Sequence, residues 1–147
     1  MLAMSKVLFS DEELIKMAQI IEAGEGNSVQ WNGSYSSVVE FYADDCEETQ
    51  FRMSFLSQIA LIISNVSFKN KRCGTMSELL DFIIEKCKEH RIQKVVIQCV
   101  LTEEMASFCL KHGFSPNTNT GVIRKGTHML KEYLSGDYEL SLKEATN

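Results

Sequence analysis

Residues 59–68 (Ile-Ala-Leu-Ile-Ile-Ser-Asn-Val-Ser-Phe) carry no charge and are mostly apolar, the pattern of a strand buried within a sheet. The period then changes. Met76, Leu79, Leu80, Ile83, Ile84 and Cys87 are spaced i, i+3, i+4, i+7, i+8 and i+11, a single apolar stripe along a helix that can dock onto a sheet. Residues 94–101 form a second apolar run and read as a buried strand. Thr102 follows as an N-cap, with Glu103 and Glu104 in the first turn of another helix, which Lys111, His112 and Gly113 close.

Outside this block the pattern is looser. Ser10-Asp11-Glu12-Glu13 is a capping box ahead of Leu14, Met17, Ala18 and Ile21, which predicts a helix over residues 11–22. Residues 6–9 read as an edge strand, 23–33 as a glycine-bearing loop, and 35–42 as a short second helix. The acidic run Asp44, Asp45, Glu47 and Glu48 marks a hairpin turn before a strand at 51–55. Residues 121–124 and 128–134 read as two strands of a terminal hairpin around Lys125-Gly126. The expected organisation is one domain over 1–134 followed by a polar, fraying tail over 135–147.

Composition narrows the classes. A chain of 147 residues with 44% hydrophobic and 24% charged side chains has material for one core. The net charge of -5 argues against broad nucleic-acid binding, which needs a basic face. The five cysteines at 46, 73, 87, 99 and 109 form no C-x-x-C pair, so neither a zinc site nor a disulfide framework is indicated. Reduced thiols point to the cytoplasm, and no apolar run reaches membrane-spanning length. The sequons at Asn32 and Asn65 carry no weight in that setting.

The loop between the first strand and its helix is where chemistry is most legible. Lys69, Lys71 and Arg72 place positive charge beside Gly74, whose missing Cβ permits a sharp turn and close approach of a ligand. Free amides at the start of the following helix attract phosphate oxygens, so the segment reads as a diphosphate cradle. It lacks the Gly-Lys-Ser/Thr of a Walker loop and the spaced glycines of a dinucleotide fingerprint, which lowers nucleotide hydrolysis and hydride transfer.

Lys71-Arg72-Cys73-Gly74-Thr75-Met76 resembles the acetyl-CoA motif Q/R-x-x-G-x-G/A of the GNAT superfamily of N-acyltransferases, with Lys at the first position and Met76 where a small residue is usual. Phe108, Lys111, Gly113 and Phe114 stand in register with a second pattern of that superfamily, N-x-x-A-x-x-F-Y-x-K-x-G-F, in which Thr102, Met105 and Cys109 replace Asn, Ala and Tyr. The resemblance implies an α/β (α+β) fold with a mixed, mostly antiparallel sheet of about six to seven strands and about four helices, splayed between its two central strands. It implies acetyl-CoA as cosubstrate, with no metal. Asn65, Val66 and Ser67 would hold the pantetheine and thioester, while Lys71, Arg72, Cys73, Gly74, Thr75 and Met76 take the diphosphate and Thr102 stands at the cofactor-contacting Asn position. The implied reaction is direct attack of an uncharged amine on the thioester, with the oxyanion held by a strand amide.

Catalytic groups are less legible. Cys109 occupies the position of the Tyr that commonly protonates the departing thiolate; the alternative is core packing, since free cysteines are usually buried. No acidic side chain lies between 58 and 68 to act as base, and His128 is a candidate acting through water. Trp31 and Tyr35, with Phe41 and Tyr42, are candidates for walls of the acceptor pocket or for ordinary packing. The acidic turn could draw a cationic acceptor, an amine-bearing small molecule or peptide, or be a solvated turn. Met76 would crowd the diphosphate if its side chain faced it. A homodimer is frequent in the superfamily and has no signature in these residues. The competing class is a GNAT-like module that binds CoA or has lost it and acts as a sensor or interaction domain, which Met76, Thr102 and Cys109 motivate.

Overall fold

The computed structural model describes residues 9–33, 37–71, 74–127 and 130–142. Helix α1 (Asp11–Glu25) starts at the expected capping box: the Glu13 amide donates to Ser10 Oγ at 3.2 Å and the Ser10 amide donates to Glu13 Oε1 at 2.7 Å. It continues past residue 22 until Gly26 stops it in the left-handed region at φ 77°. Strands β1 (Gln30–Asn32), β2 (Val38–Ala43), β3 (Cys46–Leu56) and β4 (Ala60–Ser67) form an antiparallel meander. Helix α2 (Thr75–Glu89) crosses to β5 (Lys94–Val100), which lies parallel to β4. Helix α3 (Glu103–Lys111) then leads to β6 (Ser115–Pro116), β7 (Val122–Lys125) and β8 (Glu132–Ser141).

The sheet runs β1-β2-β3-β4-β5-β8-β6, with β7 paired to β8. It is mixed and mostly antiparallel, with eight strands and three helices among the described residues, against the six to seven strands and four helices expected. Three expectations are corrected. The helix expected at 35–42 is, from Val38 on, strand β2, residues 35 and 36 lying outside the described residues: Val38, Val39, Phe41 and Tyr42 are β-branched or aromatic, and burial alternates along them because one face meets the core. The polar tail expected from Ser135 is, through Ser141, the strand β8, which pairs with β5; between Ser135 and Ser141 only Tyr138 and Leu140 are large apolar or aromatic side chains, so the segment looks polar in sequence. Of the hairpin strand expected over 128–134, residues 128 and 129 lie outside the described residues, and the strand β8 begins at Glu132. Of the edge strand expected at 6–9, only Phe9 lies within the described residues, buried and packed edge-on against Phe55.

One continuous core joins a sheet face to the three helices. Val39, Phe41, Phe51, Met53, Leu61, Ile63, Val95, Ile97 and Tyr138 supply that face; Leu14, Met17 and Ile21 of α1 and Leu79, Leu80, Ile83 and Cys87 of α2 cover it. Burying a side chain of this kind contributes about 1.5–3 kcal/mol each. The register places Glu40 opposite Arg52, and Arg52 opposite Asn65, on the other face of the sheet.

Candidate acyl-carrier site

Strands β4 and β5 are paired over three rungs only, Leu61 with Val95, Ile62 with Val96 and Ile63 with Ile97. Just past the last rung both strands are irregular. On β4 the register against β3 slips so that Ser64 is extra between Ile63 and Asn65. On β5 the register against β8 slips between Ile97 and Val100, where Cys99 takes φ 57° and donates its amide to Asp137 Oδ1 at 3.1 Å. A bulge bends its strand. Both irregularities lie just beyond the last rung, and past Ile63 no further rung pairs β4 with β5, so the sheet opens there. Residues of β4 present their backbone groups to alternate sides, and those of Asn65, Val66 and Ser67 that face the opening have no β5 partner.

The opening leads to the start of α2. Gly74 is its N-cap at φ 80°, a region that favours glycine, and a Cβ there would meet nothing within 4 Å. No side chain among the described residues caps this end. The first-turn amides of Thr75, Met76 and Ser77 are therefore donors without an intrahelical partner, next to exposed Lys69 and Lys71. Amides without an intrahelical partner beside basic side chains fit a diphosphate.

The other end of the loop is tied down by a residue the sequence reading placed in a featureless loop. Glu25, the last residue of α1, is 1% exposed. Its Oε1 accepts from Thr49 Oγ1 at 2.6 Å and from the Lys69 amide at 2.7 Å, and its Oε2 accepts from the Asn70 amide at 2.7 Å. Burial alone would raise this carboxyl's pKa, but the Thr49 hydroxyl and the Asn70 and Lys69 amides outweigh it and hold the group below its ordinary value. Asn70 returns the contact, donating Nδ2 to the Gly24 carbonyl at 3.0 Å and to the Glu25 carbonyl at 3.2 Å.

No family model matches the chain, and no curated protein matches it. Solved structures do. The IAA acetyltransferase from Bacillus cereus superposes with a TM-score of 0.52 at 10% identity over 78% of this chain and 98% of that one. A probable acetyltransferase from Staphylococcus epidermidis gives 0.50 at 16% identity, covering 92% and 97%, and Ard1 from Thermoplasma volcanium gives 0.50 at 14%, covering 92% and 95%. This chain has the GNAT fold.

Within that fold the remaining candidates fall in different places. Met76 is half-buried and packs against the core. Thr102 is the N-cap of α3, its hydroxyl accepting from the Met105 amide at 3.2 Å. Cys109 is fully buried, and burial pushes its thiol up to about 12, which suits the packing alternative and leaves it a poor proton donor near neutral pH. Trp31 sits on the edge strand β1 and leans on Phe41, with ring centroids 6.1 Å apart. Tyr35, Arg72, Cys73 and His128 lie outside the described residues.

Two further features escaped sequence reading. Glu103, in the first turn of α3, is buried and accepts from the Thr127 amide at 2.8 Å, the Thr127 hydroxyl at 3.0 Å and the Leu130 amide at 2.7 Å, fixing both flanks of the segment that carries His128. On the sheet face away from the core, a depression of about 250 Å³ is lined by Asn32, Glu40, Tyr42, Gln50, Arg52 and Asn65, together with Phe41 and Phe51. Asn65 donates there to Gln50 Oε1 at 2.9 Å. Such a basin needs strands to be paired before its residues share a face, so no linear motif announces it. Among the described residues, no cluster of His, Cys, Asp or Glu is arranged to hold a metal, and no helix is long and apolar enough to cross a membrane.

Proposed function

We propose that this chain is an N-acetyltransferase that moves an acetyl group from acetyl-CoA to a primary amine of a small molecule or peptide. The observation that carries the reading is the opening between β4 and β5 that ends beside the uncapped start of α2. Lys71, Gly74, Thr75 and Met76 would receive the diphosphate, Lys71 through its charge and the others through their backbone. The unpaired edge of Asn65, Val66 and Ser67 would line the pantetheine. When bound, acetyl-CoA supplies an activated thioester. The protein's part is to align it, exclude water and stabilise the oxyanion with a strand amide. In the transfer, the neutral amine forms the new C–N bond as the C–S bond breaks. The amine's proton leaves to solvent and the thiolate gains one from it, since Cys109, with its thiol pushed up to about 12, is poorly suited to donate.

The depression on the opposite face includes Asn65 and supports an acceptor that approaches from that side, past Glu40 and Arg52. The burial of Cys109 also supports a second reading, a CoA-binding module without turnover. Calorimetry with acetyl-CoA followed by thiol release over a panel of amines separates the two. Binding with release on at least one amine supports the enzyme; binding without release on any of them leaves the module; absence of binding removes both.

A further inference from the structure

We infer that Glu25 is a positioning residue for the carrier's diphosphate, acting through the loop that precedes α2. The inference rests on the reading of that loop given above and concerns a side chain outside its motif. A carboxylate at the C-terminal end of a helix meets the negative end of the helix dipole, an unfavourable place for it. Glu25 is nevertheless buried there, because donors from two other segments converge on it: Thr49 from β3, and the Lys69 and Asn70 amides from the loop. Asn70 in turn caps the carbonyls of Gly24 and Glu25, so the last turn of α1 and the first residues of the loop satisfy each other's orphan groups.

The neighbouring residue reaches the loop's far end. A Cβ on Gly24 would overlap the Thr75 hydroxyl, so α1 touches the first residue of α2 directly. Two consecutive residues of α1 thereby set where the loop begins and where its helix begins. The amides of Lys69 and Asn70 are spent on Glu25, which leaves those of Thr75, Met76 and Ser77 as the anion-binding set at a fixed height above the opening. The order of the loop is thus built in before any ligand arrives, which lowers the ordering needed on binding.

Glu25→Gln removes a negative charge near a dianion's site, and electrostatics alone would tighten diphosphate binding. Its carboxamide, however, replaces one oxygen with a donor, so at least one of the three donors faces another donor and the loop shifts. Calorimetry with CoA should show binding weakened on the order of tenfold, while S-acetylpantetheine, which has no diphosphate, binds as it does to the unaltered protein. Thr49→Val, which removes one donor and keeps the carboxylate, should weaken CoA in the same direction by about threefold. It also serves if Glu25→Gln does not fold. Unchanged or tighter CoA binding in the variants, or equal loss for both carriers, overturns the proposal. Failure of the unaltered protein to bind CoA is a different result, one that removes the loop reading and this inference with it.

Discussion

Glu25 and Glu103 are both buried carboxylates that hold a loop segment, yet they stand at opposite ends of their helices. Glu103 lies in the first turn of α3, where the helix dipole favours negative charge, and its bonds to Thr127 and Leu130 add to that preference. Glu25 closes α1, where the dipole opposes it, and depends wholly on donors from β3 and the loop. A clamp at the favourable end stabilises its own helix as well as the segment it holds. A clamp at the unfavourable end stabilises the segment at its helix's expense, which marks the loop as the beneficiary.

That contrast can be broken by stability measurements. Glu103→Ala should lose the most, about 3 kcal/mol in urea melts, because it forfeits the loop bonds and the dipole interaction together. Glu25→Ala should lose less, about 2 kcal/mol, since relief from the α1 dipole offsets part of the lost bonding. A larger loss for Glu25→Ala than for Glu103→Ala would refute the dipole argument. Gly24→Ala, which in an unobstructed helix would gain stability, should instead destabilise by about 1.5 kcal/mol through overlap with Thr75, and thermal melts read the sign. Thr102→Ala removes the α3 N-cap next to Glu103 and should cost about 1 kcal/mol, checked by the same melts.

The smallest expected effect is on pH dependence. Glu25 has a folded pKa below its ordinary 4.5, so the stability it contributes is complete above that value and is lost as pH falls through the lower folded value. Urea midpoints measured from pH 6 downward should therefore fall less steeply in Glu25→Gln than in the unaltered protein. Parallel slopes would show that the carboxyl is not held in its charged form.

The site was legible where its signals are local. Gly74, the stripe from Met76 to Cys87 and the N-cap at Thr102 depend on residues a few positions apart, and α2, β5 and α3 lie where their periodicity places them. Glu25 was illegible because its partners are 24 and 44–45 residues away and nothing in Ala23-Gly24-Glu25-Gly26 differs from a solvated loop. Strand β2 was misread because Tyr35 to Tyr42 is too short for its period to choose between helix and strand; pairing with β3 made the choice. Ser135 to Ser141 looked like a tail because a strand with one buried face need carry few apolar residues.

By itself, the order of apolar runs and stripes determined the succession β4, α2, β5, α3, since backbone hydrogen bonding and one-sided burial act over a turn or a few residues. It also marked the glycine and the basic side chains of the loop. Only the tertiary structure decided that β4 and β5 part after three rungs, that the polar residues of β1 to β4 share a basin, and that α1 grips both ends of the loop. Those features arise from pairing and packing between distant segments, where a side chain's meaning is set by what it meets and not by its neighbours in the chain.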